Sequence, residues 1–254
     1  MSIITIATSK GGAGKTTIAQ LIAGTIASQG YRVAAIDADY NHSLADWVRT
    51  FERYPITVEH ELNETKIIPL AEELSGSHDL LLIDTAGAAT QATVFAIGCA
   101  DLVLIPCQLS SANVVEAAKT QRLVQSAATM TRQTIPARVV LTDYQPKTVI
   151  AGHVERELEA CALTPLKAKL HRLVAFKEMT FTGDVPTEGL AAGQVHALAA
   201  GRAFLADQAG DRPGLQPLQP AAPSDRHSAP WCPRSAACPQ QHRAWRWRES
   251  FQWW

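Results

Sequence analysis

The 254-residue chain lacks any apolar run of the roughly 20 residues that a membrane-spanning helix needs. No basic stretch precedes its first apolar segment, so no signal peptide is expected. Its five cysteines, Cys99, Cys107, Cys161, Cys232 and Cys238, include no C-x-x-C pair. That argues against a zinc site or a disulfide framework and for reduced thiols. Net charge is only -1, so any contact with nucleic acid must come from a local patch. Strands of alternating polar and apolar residues are missing too, which argues against a sandwich or barrel. There are no internal repeats. These absences lead us to expect a soluble, cytoplasmic protein with no stable membrane insertion.

What is present is a core-forming composition, 46% apolar. Short apolar runs, "SIITIAT" (2–8), "YRVAAID" (31–37), "DLLLIDTAG" (79–87), "ADLVLIP" (100–106) and "ARVVLTD" (137–143), read as buried strands. Pro106 is expected to stop the fourth, and "LTPLKAKL" (163–170) is a candidate sixth. Helical spacing lies between them, over 16–29, 110–128 and 149–161. Apolar strands alternating with helices predict an α/β fold, a doubly wound, mostly parallel sheet covered on both faces. One domain is expected over residues 1–206. Residues 207–254 hold half of the prolines and five of the six tryptophans, with no lysine and no periodicity, so they are expected to be disordered or loosely attached. This tail reads either as an arginine/tryptophan arm that stacks on nucleic acid or a membrane surface, or as an appendage without a role.

"TSKGGAGKTTIAQ" (8–20) follows the first strand and opens the first helix. Gly11, Gly12 and Gly14 let backbone N–H groups turn inward as an anion nest, with the positive helix end behind them. Together with Ala13 they form a phosphate-binding loop. Lys15 would reach the β/γ-phosphates, Thr16 would ligate Mg²⁺, and Thr17 would serve the α-phosphate side. Ser9 stands where the usual pattern has its first glycine, and a second lysine, Lys10, precedes the loop. Asp84 ends "LLLID" as an acid able to hold Mg²⁺ through water. Asp37 and Asp39 share the tip of the second strand, where they either orient a water or form a solvated loop. Asp143 after the fifth strand could meet an adenine edge or cap the helix toward Thr148.

Lys10-Gly-Gly-Ala-Gly-Lys15-Thr16-Thr17 resembles the deviant Walker A box, K-G-G-x-G-K-[ST], of the ParA/MinD family of P-loop ATPases. "DADYNHSLADW" is similar to its A′ box, with Asp37, Asp39, Ser43 and Trp47 in register and Tyr40-Asn41 in place of Pro-Gln. "LLLIDTAG" resembles its Walker B segment, with Thr-Ala-Gly where Thr-Pro-Pro is common. "RLVAFKEMTFTGDVPTE" is similar to a late segment of small plasmid and chromosome partition ATPases. The likeness spans residues 2 to about 206.

The resemblance implies a P-loop fold, ATP and Mg²⁺ as cofactors, and a homodimer enclosing two ATP molecules. Lys10 would act on the partner's phosphates in trans, Asp39 would orient the attacking water with Asp37 beside it, and Asp84 and Thr16 would serve Mg²⁺. Hydrolysis would be slow until a partner, a centromere-binding or cargo adaptor, stimulates it. The ATP dimer would bind DNA non-specifically and be nucleoid-associated, through the basic cluster Lys167, Lys169, Arg172 and Lys177 with His171. Those residues read equally as a solvated face. Other tasks for the same switch are MinD-like positioning on a membrane, conjugative transfer or polar localisation, and an iron–sulfur reductase with Cys99 and Cys107 as ligands.

Overall fold

The computed structural model describes residues 1–88 and 90–200. The expectation for the tail, 207–254, lies outside the described residues. Six strands form one sheet: β1 (Ser2–Ile6), β2 (Val33–Ala38), β3 (Ile56–His60), β4 (Leu80–Thr85), β5 (Leu102–Gln108) and β6 (Ala137–Thr142). Their order is β3-β2-β4-β1-β5-β6 and every ladder is parallel. Among the described residues eight helices accompany them, the last three after β6: α1 (Lys15–Ser28), α2 (Ser43–Phe51), α3 (Glu64–Ser75), α4 (Gln91–Gly98), α5 (Ser111–Thr131), α6 (Val149–Ala160), α7 (Ala175–Thr182) and α8 (Gly189–Ala200).

The period-2 rule sorts each strand between two apolar layers. In β4, Leu80 and Leu82 enter the layer built with α1, α2, α7 and α8, while Leu81 and Ile83 face the layer of α3 and α4. Under β5 and β6 that second layer continues with α5 and α6, through Val103, Ile105 and Val124. A strand buried on both faces must be apolar throughout, which is why β4 reads as an unbroken run.

Two sequence expectations are corrected, and one strand was missed. Pro106 does not end the fourth strand, which runs on to Gln108. Val103 N–H donates to Pro136 O and Ala7 N–H to Leu104 O, so even-numbered residues of β5 face β1. The missing N–H of Pro106 therefore falls where the β1 chain has already turned away, and pairing with β6 is untouched. Residues 163–170 form no strand; they touch β6 through an isolated bridge at Pro165 and through Leu170 N–H to Leu141 O. The β3 strand was missed because it is an edge, with Thr57 and Glu59 exposed between half-buried neighbours, and so lacks an apolar run.

The β1 strand sits at the centre, with the α1 crossover leading to one side and the path through β4, α4 and β5 to the other. The carboxyl ends of β1 and β4 thus flank the point where strand order reverses, the place at which open α/β sheets bind ligands.

Candidate active site

The glycine loop leaves β1 and enters α1 through Gly12 (φ 72°) and Gly14 (φ 100°), both left-handed, where a Cβ would be strained. Its carbonyls are held from outside. Gln108 Nε2 donates to Gly12 O at 3.0 Å, Thr142 Oγ1 to Ala13 O at 2.8 Å, and Lys15 Nζ to Lys10 O at 3.4 Å. With carbonyls anchored outward, the loop's N–H groups are left for an anion. Sequence reasoning missed Gln108 and Thr142; their position at the carboxyl tips of β5 and β6 was the available signal.

Thr16 Oγ1 donates to Asp84 Oδ2 at 2.7 Å, joining the first turn of α1 to the tip of β4. The other oxygen, Asp84 Oδ1, is buried without a hydrogen-bond partner. Burial pushes the Asp84 carboxyl up to about 7; the Thr16 hydroxyl and Lys15 oppose the rise, and Asp37 and Asp39 add to it. A costly, unpartnered carboxylate oxygen beside a hydroxyl and a phosphate cradle fits a hard divalent cation. Burial likewise lowers the Lys15 ammonium, with Asp84 and Asp39 working against it.

Asp39 and Asp37 have different surroundings. Asp37 is fully buried; Oδ2 accepts from Leu44 N–H (3.0 Å) and Ala45 N–H (2.9 Å), and Oδ1 from Asp39 N–H. It anchors the start of α2, so its contribution to the site is positional. Asp39 instead lines a cavity of about 480 Å³ with Lys15, Thr16, Gly11 and the exposed Tyr40. Asn41 donates to Asp39 Oδ1 from both its backbone and its side chain, at 2.9 Å each.

A second cavity, of about 450 Å³, meets the first at Gly12, Gly14 and Thr17. Leu173 and Phe176 give it apolar walls, and Asp143 stands at its edge. Arg172 Nε donates to Asp143 Oδ1 at 2.6 Å, holding that carboxyl below its usual range. Thr148, not Asp143, caps α6, through its hydroxyl to Ala151 N–H. The two cavities share the glycine loop, with Asp39 lining one and Asp143 the other.

Lys10 is half-buried and does not line the cavity around Lys15; its charge is felt by Glu116 and Cys107. Ser9 Oγ donates to Glu116, which also accepts from Lys119, so the residue replacing the usual glycine ties the loop to α5. Gly87 backs onto the same loop: a Cβ there would lie 3.0 Å from Gly11 Cα and N. The turn after β4 and the phosphate loop are thus in backbone contact. Trp47, buried, donates from Nε1 to Met179 O and is a packing residue.

Of the basic cluster, Lys169 is bound to Glu155 and lies 4.5 Å from the Tyr144 ring centre, and Arg172 is committed to Asp143. Lys167 and Lys177 are exposed, with no carboxylate in ion-pair range among the described residues. Burial pushes the thiols of Cys99 and Cys107 up to about 11 and about 12, and among the described residues no group of three or more His, Cys, Asp or Glu is placed to hold a metal. No helix among the described residues is long and apolar enough to cross a membrane.

A doubly wound parallel sheet with a two-lysine phosphate loop, an acid at the neighbouring strand tip and an acidic loop opposite defines a ParA/MinD-type P-loop ATPase. More narrowly, the chain belongs to the VirC1 protein family, whose model matches residues 1–197. It is 30% identical over 147 residues to protein ParA of Rhizobium radiobacter, covering 58% of this chain and 66% of that protein. It is 32% identical over 147 residues to protein virC1 of the same organism, covering 55% and 63%. These matches span just under two thirds of either relative. Among solved structures, the septum site-determining protein MinD of Pyrococcus horikoshii, complexed with Mg-ADP, superposes with a TM-score of 0.66 at 18% identity, covering 81% of this chain and 97% of that one. That likeness concerns the fold.

Proposed function

We propose that this chain binds Mg-ATP, dimerises around two such nucleotides and hydrolyses ATP slowly, as a switch that partitions or positions DNA cargo. The observation that carries the reading is the buried, unpartnered Asp84 Oδ1 beside Thr16 at the mouth of the phosphate loop. Mg-ADP in the MinD structure and the likeness to protein ParA support it.

In this reading the loop N–H groups and Lys15 hold the phosphates, and Thr16 and Asp84 hold magnesium. A magnesium ion held by these two residues would supply positive charge for the phosphate oxygens. Asp39 orients the attacking water and draws on its proton. Asp37 keeps Asp39 in place by anchoring both the loop and α2. The adenine lies at the Asp143 end, against Phe176 and Leu173. Lys10, outside its own phosphate cavity, reaches the phosphates of the second copy and supplies positive charge there. The DNA surface narrows to Lys167 and Lys177, since their neighbours Lys169 and Arg172 already serve acids of the protein. An adaptor on the cargo completes a site that is slow alone, and hydrolysis releases the dimer from DNA.

The test is a titration of non-specific duplex DNA with ATP, ADP or no nucleotide, each at two salt concentrations. Binding that requires ATP and weakens steeply with salt is expected. Equal binding in all three nucleotide states would sink the switch.

A further inference from the structure

We propose that His60 is a positioning residue for Asp39, acting through the Asp39 backbone carbonyl; this rests on the reading of Asp39 as the water-orienting acid. The β2–β3 ladder sets His60 opposite Asp37, two residues from Asp39. His60 Nε2 lies 3.3 Å from Asp39 O. A carbonyl oxygen only accepts, so the contact is a hydrogen bond when Nε2 carries the proton. His42 N–H donates to the same oxygen at 3.1 Å. The His42 ring packs on His60, with centroids 3.7 Å apart and planes tilted 46°.

The loop between them is costly to hold. His42 sits at φ 52°, a left-handed conformation that L-residues adopt rarely and that persists only when neighbours enforce it. The enforcing contacts are Asp37 on the Leu44 and Ala45 N–H groups, Asn41 on Asp39 Oδ1, and the histidine pair on Asp39 O. Asp39 Oδ2 is then the oxygen with no protein hydrogen bond among the described residues, on a residue that lines the phosphate cavity. His60 itself does not line that cavity, so it acts on the reaction only by fixing where Asp39 stands. A displacement of about 1 Å in such a group can cost on the order of 100-fold in rate.

His60→Phe keeps a ring against His42 and removes the donor; His60→Gln restores an Nε2 donor on a chain of similar reach. For the Phe variant, basal kcat for ATP is expected to fall roughly 10-fold with the Kd for ATP within about twofold, and the Gln variant to regain most of the rate. Wild-type kcat in His60→Phe would overturn the inference. So would equal loss of rate and ATP affinity in both variants, which marks a merely structural residue. Asp39→Ala, measured alongside, separates the two levels: if it hydrolyses ATP normally, the reading of Asp39 fails. If it is inactive while His60→Phe is normal, only the positioning role fails. Should His60→Phe not fold, the imidazole ¹⁵N spectrum of the wild-type protein decides. A proton on Nε2 is expected, and an unprotonated Nε2 overturns the proposal.

Discussion

Thr16 Oγ1 donates to Asp84 Oδ2 at 2.7 Å while Asp84 Oδ1, equally buried, has no partner. An unpartnered, buried carboxylate oxygen makes the Asp84 charge costly without a cation beside it. Its carboxyl titrates at about 7 when folded, against about 3.9 when unfolded. Between those values the unfolded chain gives up a proton that the folded chain keeps. Stability therefore falls as pH rises from about 4 to 7 and levels off above. The full effect is on the order of 4 kcal/mol. Asp84→Asn should flatten that slope and raise Tm at pH 8 while abolishing the Mg²⁺ dependence of nucleotide binding. Calorimetry from pH 5 to 8 checks it, and an unchanged slope would contradict the burial argument.

The two lysines of the loop should separate cleanly. Lys15→Ala removes the cation inside the phosphate cavity and should weaken ATP binding at least 100-fold, roughly the worth of two charge-assisted hydrogen bonds. Lys10→Ala should leave monomer affinity within about threefold, because Lys10 does not line the phosphate cavity of its own chain. It should nevertheless impair dimerisation. Calorimetric titration together with light scattering reads both; loss of ATP binding in the Lys10→Ala monomer would refute action in trans.

Asp39→Ala should keep ATP affinity and lose hydrolysis by roughly 100-fold or more, the usual contribution of a positioned general base. The ATP-bound dimer should then accumulate. Single-turnover phosphate release and size-exclusion chromatography in the presence of ATP test the two halves separately.

Arg172 and Lys177 line the same cavity but should fail differently. Arg172→Ala frees Asp143 and should alter preference for adenine over guanine nucleotides. Lys177→Ala and Lys167→Ala should weaken DNA binding evenly across sequences, each lowering the salt slope by about one. A DNA defect in Arg172→Ala with unchanged nucleotide preference would reverse the assignment.

The phosphate loop was legible in the sequence because its chemistry is local: strand, glycines, lysine and helix follow one another within thirteen residues. Asp84 was legible for a related reason, since a strand buried on both faces announces itself as an apolar run and its tip is easily found. The edge strand β3 carried no such run. Asp37 and Asp39 looked equivalent by spacing, yet one is swallowed by the start of α2 and the other left at the cavity. Nothing in a two-residue interval reveals which N–H groups will arrive beside a carboxylate.

By itself, then, the amino-acid order determined the layered parallel fold, the phosphate loop and the family resemblance, all consequences of short-range pattern and backbone preference. Only the tertiary structure decided that His60 meets Asp39, that Arg172 meets Asp143 across twenty-nine residues, and that Gln108 and Thr142 brace the loop. Those contacts depend on strand order and register. Strand order is set by how the whole set of apolar faces packs, and no local stretch of sequence contains that information.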